Sequence, residues 1–155
     1  MNALRLQDAL VVDLQKLFKD RRYKSTSGGN VAVSVFAQNL PKRESEEDDD
    51  PFPYIIVRLD SGEIENQTAP CRIAALLLVG IFDDNHKNQG HKAVLEIMEA
   101  IQRHYEEKPR LAEQFVFTDP FHWALQDEES YPYFFGGIEI NFNIPAPRRE
   151  WSELV

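Results

Sequence analysis

Hydrophobic positions recur at helical spacing over residues 3–19, where Leu6, Leu10, Leu14, Leu17 and Phe18 mark one face. Lys16 and Lys19 fall in the last turn, where the helix dipole favours cations. Val11 and Val12 widen the apolar stripe. Ser25-Thr26-Ser27-Gly28-Gly29-Asn30 is turn-forming sequence. Val31, Val33 and Val35 then alternate with Ala32, Ser34 and Phe36, as in a strand with one buried face. Between Pro41 and Pro53 the apolar period stops, and Glu44 to Asp50 carries six acids in seven positions. Like charges at that density repel, so 41–53 is expected to be a flexible acidic loop. Tyr54 to Leu59 returns to strand composition, Asp60-Ser61-Gly62 reads as a turn, and Ile64 to Thr68 as a short strand or hairpin arm.

Arg72 to Phe82 is apolar on both faces, with Ile73, Ala75, Leu77, Val79 and Ile81 on one and Leu76, Leu78 and Phe82 on the other. That pattern predicts a central strand covered on both sides. A helix follows over Gln89 to Glu107, with Val94, Ile97, Met98, Ile101 and Tyr105 inward and Glu96, Glu99, Arg103 and Glu106 facing water. Lys108-Pro109 ends it, since proline disfavours helix in the residue before it. Phe115 to Thr118 and Phe121 to Gln126 read as strand segments around a bend or bulge at Asp119-Pro120, and Asp127 to Pro132 as a polar turn. In the last strand Ile138, Ile140, Phe142 and Ile144 alternate with Glu139, Asn141 and Asn143, and Gly136-Gly137 marks a sharp bend or twist before it. Helix, strands, helix, strands predicts an α+β fold: a mainly antiparallel sheet with an N-terminal helix and one long central helix packed on one face. Residues 1–155 are expected to form one domain with an extended tail over 146–155.

Composition narrows the classes. With 26 acids against 17 bases the net charge is −9, which disfavours a non-specific binder of nucleic acid or anionic membrane. The split is uneven: residues 1–43 hold eight bases and three acids, whereas 44–155 hold nine bases and 23 acids. A chain with a basic edge and an acidic edge can associate with copies of itself. The single cysteine, Cys71, excludes an intrachain disulfide and favours a reducing compartment. The longest apolar run, Ile73 to Phe82, is ten residues, too short to span a bilayer as a helix. Arg5, Asp8 and Asp13 interrupt the N-terminal apolar positions, unlike a signal peptide.

Candidate chemistry is sparse. Asp83, Asp84, His86 and His91 offer oxygen and imidazole donors after the central strand, as a divalent metal would require. The two histidines are five apart, which does not match a pair on one helix face, and the plainer reading is a polar loop with Asp84 or Asn85 near a helix N-cap. The run Glu44 to Asp50 lacks the alternating ligands and central glycine of a calcium loop. Ser25 to Asn30 lacks the lysine of a phosphate cradle. Cys71 reads as a small core residue, and neither His104 nor His122 pairs with a nucleophile by spacing. No catalytic residue, metal or cofactor is therefore expected. Eight aromatics crowd into residues 115–135, and Tyr131-Pro132-Tyr133-Phe134-Phe135 is too continuous for one buried face. Exposed rings near Arg148, Arg149 and Trp151 have the composition of a protein interface. The candidate contact residues are Glu44, Glu46, Glu47, Asp48, Asp49, Asp50, Tyr131, Tyr133, Phe134, Arg148, Arg149 and Trp151.

The order of these segments carries a resemblance. An N-terminal helix, the proline-flanked Pro51-Phe52-Pro53-Tyr54-Ile55-Ile56-Val57, the apolar strand Ile73 to Phe82, the helix Gly90 to Tyr105 and the last strand Tyr133 to Ile144 follow one another over nearly the whole chain. This arrangement resembles the tail terminator and tail completion (minor tail) proteins of long-tailed bacteriophages and prophages. The resemblance implies an α+β virion subunit without catalytic residues that forms a ring, commonly a hexamer. Such a ring caps the tail tube, contacts tube protein and head-side connector, and contributes to head–tail joining. It implies a place in the virion tail, reached from the host cytoplasm, with no membrane partner and no specific nucleic-acid binding although DNA passes through. The competing expectations are a monomeric protein-binding adaptor and a metal-dependent hydrolase built on Asp83, Asp84, His86 and His91.

Overall fold

The computed structural model describes residues 2–48 and 50–144. Helix α1 (Ala3–Phe18) is followed by the two-residue strands β1 (Tyr23–Lys24) and β2 (Asn30–Val31) and by β3 (Ser34–Ala37), β4 (Tyr54–Glu63) and β5 (Cys71–Phe82). Helix α2 (His91–Glu107), β6 (Arg110–Leu111), β7 (Phe115–Leu125) and β8 (Tyr133–Ile144) complete the chain. The main sheet has the order β3-β4-β5-β8-β7-β6 and is antiparallel except where β3 runs parallel to β4. The fold is α+β, with both helices on one face: α1 lies over β3 and β4, and α2 over β5, β8 and β7.

Burial explains that placement. Leu6, Leu10, Leu14 and Phe18 of α1, and Val94, Ile97, Met98, Ile101 and Tyr105 of α2, are buried on the alternate strand residues Ile55, Val57, Ile73, Ala75, Leu77, Val79, Ile138, Ile140 and Phe142. Each large apolar side chain so buried contributes roughly 1.5–3 kcal/mol. Gln7, buried on α1, donates from its amide to the Val57 carbonyl at 2.9 Å and to Gln38 Oε1 at 2.9 Å. Gln38 Oε1 accepts in turn from the Leu59 backbone N–H at 3.0 Å, so the polar groups under α1 are paired. The turn Ser25 to Asn30 closes a small hairpin between β1 and β2, where Gly28 takes a φ of +99°.

The structure corrects several expectations. β5 is central, but only one of its faces lies under helices; Leu76, Leu78 and Phe82 on the other are half-buried among side chains of the sheet itself. β4 runs straight through Asp60-Ser61-Gly62, because a bulge between Leu59 and Ser61 absorbs the irregularity without ending the strand. Ile64 to Thr68 forms no strand; Asn66 Oδ1 instead accepts the Thr68 and Ala69 backbone N–H groups of a turn. The strand expected from Val31 to Phe36 splits into β2 and β3. Helix α2 begins after Gly90, whose missing Cβ admits the Phe134 ring, and neither Asp84 nor Asn85 caps it.

Gly136 and Gly137 lie inside β8 and not ahead of it. They lie within the ladder, Gly136 opposite Val79 and Leu125, and Gly137 opposite Leu78 and Ala124. A Cβ at Gly136 would stand 2.6 Å from Val94 Cγ1 and 3.2 Å from the Ala124 carbonyl oxygen, so this glycine sets how closely α2 approaches β8. The bulge at Asp119-Pro120 is present, between Thr118 and His122. Asn141 holds it: its amide donates to the Pro120 carbonyl at 2.8 Å while its Oδ1 accepts from Arg72 at 3.2 Å. Gly136→Ala is expected to destabilise the protein by about 1–3 kcal/mol through overpacking. Gly29→Ala, where a Cβ meets nothing within 4 Å, should shift the urea midpoint far less. Equal midpoints for the two variants would refute the close-approach role of Gly136.

Candidate functional site: an aromatic sheet face beside an acidic loop

The face of the sheet turned away from the helices is paved with rings. Its cause is local: Pro51-Phe52-Pro53 turns the chain into β4 so that Phe52 lies on that face. The Phe52 centroid is 5.0 Å from Tyr54, 5.0 Å from Tyr133 and 5.9 Å from Phe135, and Phe82 stands 5.8 Å from Tyr133. Such tilted contacts suit the ring quadrupoles. Gly80 makes room for them, because a Cβ there would collide with the Tyr54 ring. Burial pushes the Tyr54 hydroxyl up from its ordinary pKa. Phe36, Phe52, Phe82, Tyr133 and Phe135 all stay half-buried, and no described helix covers them.

At the edge of this face a groove of about 450 Å³ runs between the turn at Ser25 and the acidic loop. Val31, Phe36 and Phe52 supply apolar lining, Ser25, Thr26, Ser27 and Ser34 hydroxyls, and Lys42, Arg43, Asp48 and Asp50 the charged side. The loop is built around Arg43, which donates to Asp50 Oδ1 at 2.9 Å, to the Glu46 carbonyl at 3.1 Å and to the Asp48 carbonyl. The Asp48 carboxylate accepts the backbone N–H groups of Glu44 at 2.8 Å and Ser45 at 3.1 Å. Those backbone donors, Ser45 first and Glu44 next, hold its carboxyl below the usual range. Glu44, Glu46 and Glu47 are left exposed on the outside of the loop. Arg43–Asp50 is the loop's one ion pair among the described residues.

The candidate contact residues are thus only partly brought together. Glu44, Glu46, Glu47, Asp48 and Asp50 share the loop; Tyr133 lies on the aromatic face, joined there through Phe52, which the sequence did not single out as a contact residue. Phe134 points the other way, because strand alternation places it opposite Ile81 on the helix side. Tyr131 precedes the strand and donates its hydroxyl to the Asp84 carbonyl at 2.6 Å. Asp49, Arg148, Arg149 and Trp151 lie outside the described residues. Asp84, of the metal candidates, is paired with Lys24 at 2.6 Å, and that bond holds its carboxyl below the usual range. Among the described residues no three His, Cys, Asp or Glu side chains converge as a metal site. No helix among them is long and apolar enough to cross a membrane.

One constellation escaped the sequence. Asp13 of α1 accepts from His104 Nε2 at 2.8 Å and from the Tyr105 hydroxyl at 2.8 Å, tying the two helices together. The residues are about ninety positions apart, so no spacing rule could pair them; the one hint was an acid on the otherwise apolar side of α1. The contacts pair a buried hydroxyl and join two helices, which is a structural task.

No family model matches this chain, and no curated protein matches it.

Burial, with the Asp13 charge second, raises the Tyr105 pKa far above its ordinary value. The unfolded chain therefore loses this proton near pH 10 while the folded chain keeps it, so stability falls as pH rises, by about 1.4 kcal/mol per pH unit per proton. Tyr105→Phe should remove one proton's worth of that slope in urea midpoints taken between about pH 10 and 11.5. At neutral pH the same variant should cost about 1–2 kcal/mol. An unchanged alkaline slope would refute the linkage.

Proposed function

We propose that this chain is a structural virion subunit that assembles into a ring, caps the tail tube of a long-tailed phage or prophage, and contributes to head–tail joining. The observation that carries the reading is the aromatic sheet face: a six-stranded sheet with helices on one side only, and half-buried rings of Phe52, Phe82, Tyr133 and Phe135 on the other. Half-buried rings gathered on one face offer apolar surface to another protein. The charge distribution supports the same role. Subunits of a closed ring need two different complementary patches, and the basic 1–43 and acidic 44–155 portions offer unlike surfaces. An acidic ring also lets DNA pass without gripping it.

The role is one of assembly, with copies of the chain, tube protein and head-side connector as partners and the virion tail as its place. Light scattering on the purified protein should give a closed oligomer of fixed mass, a hexamer being the expected size. Tyr133→Ser with Phe82→Ser should lower that mass while leaving the far-ultraviolet circular dichroism unchanged. Tail tubes polymerised with the protein should stop at shorter, more uniform lengths in electron micrographs. A wild-type protein that stays monomeric and leaves tube lengths unaltered would refute the reading.

A further inference from the structure

Strand β3 covers only the start of β4, pairing with Tyr54 to Val57. Gln38 follows it at a φ of +67° and turns the chain off the edge. The same residue fills the next ladder positions. Its N–H donates to the Val57 carbonyl at 2.8 Å, and its Oε1 accepts the Leu59 N–H at 3.0 Å. Its Nε2 donates to the Leu59 carbonyl at 3.4 Å. Gln7 and Arg58 hold it there, donating to its Oε1 at 2.9 Å and to its carbonyl at 3.1 Å. The edge of β4 is thus closed as far as Leu59.

Beyond Leu59 it is open. Val57 and Leu59 turn their backbone groups to this edge, so Arg58 turns its own to Leu76 of β5. By alternation Ala74 and Arg72 of β5 face β4 as well, and their partners are Ser61 and Glu63. Gly62, between those two, therefore faces outward. Asp60 to Glu65 are all exposed, and among the described residues no hydrogen bond reaches the outer side of Gly62. Residues 60–65 hold three acids, Asp60, Glu63 and Glu65, and no base. None of the three is in an ion pair among the described residues. Arg72, across from Glu63, is engaged by Asn141 at 3.2 Å instead. Ile64 lies among these acids with 59% of its surface exposed.

We propose that Asp60 to Glu65 takes up an extended basic segment of a partner protein as an added strand. Gly62 supplies one backbone donor and one acceptor, with no side chain to obstruct the approach. The three carboxylates meet lysines or arginines of the added segment, and Ile64 meets an apolar residue between them. The same charges bar a second copy of this edge, since acid would lie against acid. The site is at the sheet's margin and stands independently of the ring-forming reading.

A fluorescent peptide of sequence Lys-Val-Lys-Val-Lys-Val-Lys, added to the full chain, tests it. It should bind at least about tenfold more tightly than Lys-Pro-Lys-Pro-Lys-Pro-Lys, which carries the same charge but cannot pair as a strand. Asp60→Lys with Glu63→Lys should weaken the first peptide by about tenfold or more. In amide exchange followed by NMR, the Gly62 N–H should slow when that peptide binds. The Ser61 and Glu63 N–H groups, already in the ladder to β5, should change little. Absence of binding, equal binding of the two peptides, or no slowing at Gly62 overturns the proposal. Oligomer mass plays no part in this test, so its failure and that of the ring reading are told apart.

Discussion

The packing of α1 and α2 on the same side of β5 commits nearly all of the chain's helical apolar surface to one layer. Leu10, Leu14, Ile97 and Ile101 meet Val57, Leu77, Ile138 and Ile140 there, and the contact is close enough that Gly136 has no room for a Cβ. Once both helices are used on that side, the other side of a six-stranded sheet has to be finished by its own side chains. Burying apolar area is worth about 25 cal/mol per Å², so a strand as apolar as β5 cannot leave that face as it would leave a polar one. The chain answers with rings: Tyr54 over Gly80, and Phe52 against Tyr54, Tyr133 and Phe135.

That answer couples the loop to the sheet. Phe52 follows the acidic run by a single proline, so the residue that covers the aromatic face also fixes where the loop begins. Arg43 draws the run back on itself through Asp50 and two carbonyls, which leaves its remaining glutamates pointing outward. Apolar surface and negative charge therefore come to adjoin along one groove. Adjacent apolar and charged surface is what a selective contact needs: the rings supply area, and the charges decide which partner is steered to it.

How much of this was legible depended on whether the signal was local. The α+β class, the apolar stripes of α1 and α2 and an irregularity at Asp119-Pro120, read as a bend or bulge, follow from period and turn chemistry alone, and the structure has them, with a bulge inside the single strand β7. The fate of Leu76, Leu78 and Phe82 did not follow, because an apolar run states that a face prefers cover and not what covers it. Gly136-Gly137 sit inside the strand and not before it, and that Gly136 lets a helix come close is told only by its partner Val94. Phe134 and Tyr133 share a stretch of sequence yet take opposite faces, since alternation separates neighbours. The Asp13–His104–Tyr105 contact lay beyond any reading of spacing.

The edges of the sheet bear on how copies of such a chain can meet. An open edge invites strand pairing between molecules, which grows without limit and without register. Here one edge is β3, four residues long, and the other ends in the two-residue β6, with the Asp119-Pro120 bulge interrupting the free stretch of β7. Proline donates no ladder hydrogen bond, and a bulge twists the edge away from a flat partner. Both edges are thus broken into short stretches, although Arg58 to Glu63 of β4 extend past β3. The side chains build two other surfaces, the aromatic face and the acidic groove, and these differ from each other in shape and sign. Unlike patches on one subunit favour head-to-tail contact over a symmetric pair, and the angle between them then decides whether the chain of contacts closes.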